Sequence, residues 1–396
     1  MRKYTVLFFL IMFLIGTDTF LVSPLLPTLQ SEFGVSTGIA GWMVGAYTLG
    51  SAVFALIAGP LSDGWNRRIV LLSGLVGFSI STILCGFADS FWTMCLFRLL
   101  AGISAAFTAP QVWASIPAVM PVASIPRTMG IAFAGLAAAQ ALGVPIGSWL
   151  AISHWSVSFW TIGIVSLLLA LAAFFLLPDM KPNAGTSVRS SILRRYVPLI
   201  RSGKARSGFL AYLLLHLGSG TAFAFVGKWM TDRFELTIGQ IGIVMMCLGL
   251  GSLLGSFLSS HATRNLGNAN VVAAGMSLLV VLYAVMPQLT KLSFVTTVYF
   301  IIFMTLGVVF PIAMGALTSL NATIRGTISS LANSTMNGAN TLGAWLAGLI
   351  YVQFGGYATI GLFSAICLAL SLGMFLFGGV LGKRSTQINQ ESTSAS

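Results

Sequence analysis

The chain has 396 residues, 57% of them hydrophobic and 7% charged. Soluble domains carry about 25% charged residues, so this chain cannot cover a water-facing surface and lipid must be the solvent for most of it. The formal net charge of +12 would suit a nucleic-acid binder. The bases, however, lie in short loops between apolar runs, where they act as a topology signal, and no nucleic-acid partner is expected.

A spanning helix takes roughly 20 apolar residues. Runs of that length fall near 4–28, 39–61, 68–88, 91–117, 128–152 and 155–178, then near 207–229, 238–260, 270–288, 292–318, 326–352 and 357–381. Their Gly, Ala, Leu and Phe content at this length predicts helices, not the alternating strands of about 10 residues found in a barrel. The first run follows Arg2 and Lys3 as a signal peptide would. It is too long for one, has no small-residue cleavage site before a soluble domain, and is expected to be a retained span. The four cysteines, Cys85, Cys95, Cys247 and Cys367, lie inside apolar runs without metal-ligand spacing, which points to packing. No metal or other cofactor is expected.

The long polar interruption, Asp179 to Arg206, carries Lys181, Arg189, Arg194, Arg195, Arg201, Lys204 and Arg206 against one acid, Asp179. The segments on either side repeat with an offset of 201. Phe33 matches Phe234, Gly50-Ser51 matches Gly251-Ser252, and Pro110 matches Pro311. The expected organisation is a six-helix bundle over 1–178, a basic cytoplasmic linker over 179–206, a second six-helix bundle over 207–382 and a disordered cytoplasmic tail over 383–396. With the N-terminus inside, 16 of the 20 Lys and Arg residues fall on the inner side. The positive-inside rule then places both termini in the cytoplasm.

Asp18 is the one acid deep within a span, in Gly16-Thr17-Asp18-Thr19, about 21 Å from Tyr4 at 1.5 Å per residue. A carboxylate at that depth needs a partner or a proton. It can couple protons, bind a cationic substrate, or serve as half of a fixed ion pair. Arg98 lies at a similar depth on the antiparallel fourth span, so an Asp18–Arg98 pair is expected. Arg98 could instead snorkel outward. His216, about nine residues into the seventh span, can titrate or can sit neutral in a hydrogen bond. Ser330, Asn333, Asn337 and Asn340 put a polar face on the eleventh span, which must turn toward a cavity or another helix. Under the 201 offset, Asp18 pairs with Ser219, Asp63 with Arg264 and Arg98 with Tyr299, so coupling is expected to reside in the first half.

Three segments resemble motifs of the major facilitator superfamily. Gly59-Pro60-Leu61-Ser62-Asp63-Gly64-Trp65-Asn66-Arg67-Arg68 resembles its signature loop, G-x-L-x-D-R-x-G-R-[RK]. Gly59, Leu61, Asp63, Arg67 and Arg68 match, and Gly64 and Asn66 depart. Arg98 with Gly102 resembles the R-x-x-x-G segment of proton-coupled members. Gly135, Gln140, Gly143, Val144, Pro145, Ile146 and Gly147 resemble the antiporter motif closing in G-P-x-x-G, with Val144 in place of a glycine. The glycines there are expected to allow tight packing between the halves. The whole is similar to the bacterial 12-span drug:proton antiporters.

That resemblance implies an all-α membrane protein of 12 transmembrane helices in two pseudo-symmetric bundles, monomeric, in the inner membrane. It implies proton-coupled efflux of a small organic molecule by alternating access. Asp18, Arg98 and His216 are the candidates for proton coupling. Gly59, Leu61, Asp63, Arg67, Arg68, Gly102, Gly143, Pro145 and Gly147 are the candidates for gating. Tyr47, Gln111, Trp113, Gln140, Asn333, Asn337 and Asn340 are the candidates for the substrate cavity. A facilitator, a proton symporter and a non-transporting membrane sensor share the fold. An enzyme is not expected, because no nucleophile–base set, ligand cluster or phosphate loop is present.

Overall fold

The structure is a computed structural model that describes residues 2–62, 65–121, 124–180, 192–320, 325–354 and 356–380. The signature-loop residues Asp63 and Gly64 and the tail beyond 380 lie outside the described residues, as do the surroundings of Gly59 and the side chain of Leu61.

The first half comprises α1 (Arg2–Glu32), α2 (Thr37–Ala40), α3 (Trp42–Ser62), α4 (Arg67–Cys85), α5 (Phe91–Val119), α6 (Ile125–Ala138), α7 (Val144–Leu150) and α8 (Trp155–Leu176). A π-helical turn over Ala139–Gly143 joins α6 to α7. Within the basic segment, α9 covers Ile192–Arg201. The second half comprises α10 (Gly203–Ala224), α11 (Val226–Phe234), α12 (Ile238–Leu266), α13 (Asn268–Val285), α14 (Leu292–Thr318), α15 (Arg325–Gln353) and α16 (Tyr357–Phe377). Helix is the only spanning form these apolar runs can take without leaving backbone groups unpaired in lipid, short of a closed barrel.

Eleven helical segments among the described residues are long and apolar enough to cross a bilayer. The 29-residue α15 is a twelfth of the same length. Its Ser and Asn face lowers its apolarity, and the helix turns that face inward against α3 and α10. Polar caps close several ends: Asn66 accepts from the Arg68 N–H, Ser90 forms a capping box with Thr93, and Thr237 forms one with Gln240.

The 201 offset is a three-dimensional relation. A Cβ on Gly50 would meet the carbonyl of Leu99, and one on Gly251 would meet that of Phe300. The α3–α5 crossing is thus repeated at this point as α12–α14.

The halves meet along a seam that runs from the Glu32 end to about mid-span. Thr48 and Thr341 share a hydrogen bond of 2.8 Å, Ser334 donates to the Ala52 carbonyl at 2.8 Å, and Gly41 lies against the Ala344 carbonyl. On the other flank, Gly249 packs on the backbone of Gln140 and Ala141, and Gly242 packs on Ser148. At the centre, α10 stops at Ala224 and α11 starts at Val226. The carbonyls freed there accept from Tyr357 (at Ala222, 2.7 Å) and from Ser23 of α1 (at Phe223).

Candidate functional site

Asp18 and Arg98 meet inside the first half. Arg98 Nη1 lies 2.7 Å from Asp18 Oδ2, with the side chains 1% and 0% exposed. Arg98 Nη2 also reaches the Asp18 backbone carbonyl at 3.4 Å. Asp18 Oδ1 and Arg98 Nε have no hydrogen-bond partner among the described residues. A pair removed from water holds only when geometry and extra hydrogen bonds offset its desolvation. Here one carboxylate oxygen is left as an open acceptor.

Tyr47 completes the cluster. The Arg98 guanidinium lies over its ring, 4.4 Å from the centre. Its hydroxyl is 3.1 Å from Thr19 Oγ1, and Thr19 donates to the Ile15 carbonyl at 2.7 Å. Gly102 makes this approach possible, since a Cβ there would overlap the Tyr47 carbonyl. Ser51 donates to the Gly102 carbonyl at 2.9 Å and ties the same crossing. Gly102→Ala should therefore destabilise the protein by about 1–3 kcal/mol through overpacking. Thermal unfolding in detergent reads this, against Gly130→Ala, where the added Cβ meets nothing within 4 Å.

Other expected site residues are placed differently. Tyr47 (2% exposed), Gln111 (1%) and Asn337 (8%) are buried, so none lines an open cavity in this conformation. Tyr47 is occupied by Arg98, and Asn337 donates to Asn333 Oδ1 at 2.6 Å. Asn333, Asn340, Gln140 and Trp113 are partly exposed, and Trp113 stacks on Phe133 at 4.2 Å. His216 lies apart from the pair, between Tyr212 and Phe310, with both ring centroids at 4.5 Å. Its Nε2 has no partner among the described residues.

The antiporter-like glycines correct one expectation. Gly143 faces Thr17 and Gly147 faces Leu21, both on α1 of the same half. The small residues that bring the opposite half against this segment are Gly242 and Gly249 of α12, which the sequence does not single out. Pro145 offers its Cα to Gly242. Lacking an N–H, it leaves a carbonyl one turn earlier without its helical donor, and the π-helical turn just before it absorbs the mismatch. Arg67 donates to the Ala114 carbonyl at 2.6 Å, and Arg68 pairs with Asp179 at 3.2 Å. Both contacts stay on the first half and its outgoing segment.

The counterparts of Asp18 and Arg98 in the second half carry no charge. Ser219, at the place of Asp18, donates to the Leu215 carbonyl at 2.8 Å. Tyr299, at the place of Arg98, bonds the hydroxyl of Tyr357, whose ring stacks on Trp229.

The sequence profile of the Major Facilitator Superfamily matches residues 8–203 and 208–395. The chain belongs to that superfamily. It is 44% identical over 380 residues to the MFS-type transporter YceJ of Bacillus subtilis, covering 96% of this chain and 97% of that one. It is 25% identical over 260 residues to multidrug resistance protein 1 of the same organism, covering 64% and 65%. The chloramphenicol resistance protein of Streptomyces lividans is 24% identical over 269 residues, covering 67% and 68%. Among solved structures, a bacterial homologue of the human lysosomal transporter Spinster, inward-facing and occupied, superposes with a TM-score of 0.73 at 16% identity. That match covers 96% of this chain and 97% of the other. The superfamily places a multi-pass bundle in a membrane and makes the chain a transporter.

Proposed function

We propose that this superfamily member is a proton-coupled exporter that exchanges a small organic molecule for protons by alternating access. The observation that carries the reading is the Asp18 carboxylate. It is fully buried, one oxygen rests on Arg98, and the other is open as an acceptor. A proton arriving there weakens the ion pair without breaking any covalent bond, which is what a reversible carrier needs. The basic residues argue for an inner-membrane protein with both termini in the cytoplasm. The seam at the Glu32 end then faces outward and is closed, leaving the inner side for substrate entry. The resistance proteins among the relatives support an organic drug as the exported class. The fold works as a monomer in this reading.

The test is a proteoliposome assay with a pH-sensitive dye inside and a panel of organic cations, sugars and purines. Wild type is expected to exchange at least one compound for protons, and Asp18→Asn to lose that proton flux. Equal movement of the compound in both, without proton flux, would identify a facilitator and return Asp18 to a structural role.

A further inference from the structure

We propose that Tyr47 is the positioning residue that holds Arg98 in place while Asp18 is neutral, so that a proton can come and go on Asp18 without releasing the guanidinium. The proposal rests on the reading of Asp18 as the proton carrier, and it assigns Tyr47 to the coupling site and not to the substrate cavity.

A carboxylate that takes up a proton stops being a counter-charge. Arg98 cannot discharge in response, because a guanidinium keeps its proton in proteins. A lone guanidinium in hydrocarbon moves toward water if its stem allows. Something uncharged must therefore keep it in the bundle. Among the described residues, the guanidinium has an ion pair, a hydrogen bond and a ring contact: Asp18 Oδ2 at 2.7 Å, the Asp18 backbone carbonyl at 3.4 Å and the Tyr47 ring at 4.4 Å. Protonation weakens the first. The second is near the upper limit for a hydrogen bond. The third does not depend on the state of Asp18, and a cation–π contact is at its strongest when desolvated.

Tyr47 is itself built into place. Its backbone is pressed by Gly102, one turn beyond Arg98 on α5, and its hydroxyl is anchored through Thr19 to the Ile15 carbonyl. The hydroxyl bonds to α1, so the ring face is the part that serves Arg98. The R-x-x-x-G spacing thereby gains a physical meaning here: the glycine brings α3 close enough for the arginine to stack. The other ionisable groups near the pair are the thiols of Cys85 and Cys95. On α11, packed against α1, Lys228 and Asp232 pair with each other at 2.6 Å.

The experiment reads the accessibility of Arg98 without needing the substrate. Asp18→Asn stands in for the protonated carboxyl. Purified protein is treated with phenylglyoxal, a dicarbonyl reagent for guanidinium groups, and modification at Arg98 is followed by peptide mass spectrometry. Exposed Arg127 and Arg233 calibrate the reagent, and the buried thiol of Cys367 reports unfolding through a maleimide. Arg98 should stay as protected in Asp18→Asn as in wild type. In Asp18→Asn/Tyr47→Leu it should react about tenfold faster, the effect of losing one desolvated cation–π contact. Asp18→Asn/Tyr47→Phe keeps the ring and should remain protected. If the Leu variant exposes Cys367, Tyr47→Met replaces it in the same comparison. Equal labelling of Arg98 in the ring-less and Phe variants overturns the proposal. If Asp18→Asn still exchanges substrate for protons in vesicles, the carrier reading fails instead, and the two failures are read from separate measurements.

Discussion

Asp18→Leu should be the most destabilising single substitution at the ion pair, and a second substitution should largely reverse it. Removing one member of a buried pair typically costs about 3–5 kcal/mol, because the other charge is left without compensation. The two members are not equivalent in this respect. Asp18→Leu leaves Arg98, which cannot neutralise itself and keeps only the Tyr47 ring and a long bond to a carbonyl. Arg98→Leu leaves a carboxylate that can take up a proton. The folded state of Arg98→Leu then binds a proton that the unfolded chain does not hold at neutral pH. Its stability should consequently rise as the pH falls, and Asp18→Leu should show no such recovery. Asp18→Leu/Arg98→Leu removes both charges at similar volume and should regain most of the loss, as replacement of a buried pair by apolar residues often does. Its proton-coupled transport should be absent all the same. Thermal unfolding of the four proteins in detergent at neutral and mildly acid pH gives the cycle. A double variant no more stable than Asp18→Leu would mean that the pair is held by neighbours the cycle does not touch.

Much of this organisation is legible in the sequence because lipid imposes one rule on every span. Length and apolarity mark eleven of the helices, and the polar face of α15 marks the twelfth as one turned inward. The 201 offset reads out as matched crossings, Gly50 on Leu99 and Gly251 on Phe300. Asp18 and Arg98 stand out because a charge deep in hydrocarbon needs a reason to be there. Tyr47 is harder to place. An aromatic residue in a span can line a cavity or cover a cation, and only the placement of the Arg98 guanidinium over the ring decides which. The seam carried a signal that composition alone hides. Gly41, Gly45, Thr48 and Ala52 recur at i, i+4, i+7 and i+11, and Ser334, Thr341 and Gly348 recur at steps of seven. Small residues on one helical face read as a packing stripe. Which stripe meets which could not follow from one sequence, since both halves offer several. The antiporter-like segment shows the same limit. Its glycines are spaced for close packing, but they face α1, and the glycines that meet this segment from the other half are on α12. The latch from Ser23 to the Phe223 carbonyl had no signal, because it depends on where α10 breaks.

A disulfide between positions 48 and 341 should stop transport almost completely, and a reductant should restore it. The hydroxyl oxygens of Thr48 and Thr341 are 2.8 Å apart across the seam, and both residues are buried. Side chains that meet face to face across the seam are the place for a bridge, which needs Cβ atoms about 3.5–4.5 Å apart. The Gly45 carbonyl, which accepts from Thr341 at 3.3 Å, shows how closely α3 and α15 approach at this level. Alternating access requires these helices to part when the other side closes. A covalent link at 48–341 therefore holds the Glu32 end shut while leaving the linker end free. The native thiols Cys85, Cys95, Cys247 and Cys367 are all unpaired and must first be replaced by Ser or Ala to keep the chemistry single. Thr48→Cys/Thr341→Cys in that background should transport when reduced and fail when oxidised. Binding of an exported compound from the cytoplasmic side should survive oxidation, since only the exit is blocked. A matched pair on one half, Ser371→Cys with Ala211→Cys, joins α16 to α10, already tied by a 2.6 Å bond from Ser371 to the Ala211 carbonyl. That intra-half link should leave transport untouched if the halves move as bodies. Full activity of oxidised 48–341 protein would show that this seam does not open, and that the route out lies elsewhere in the bundle.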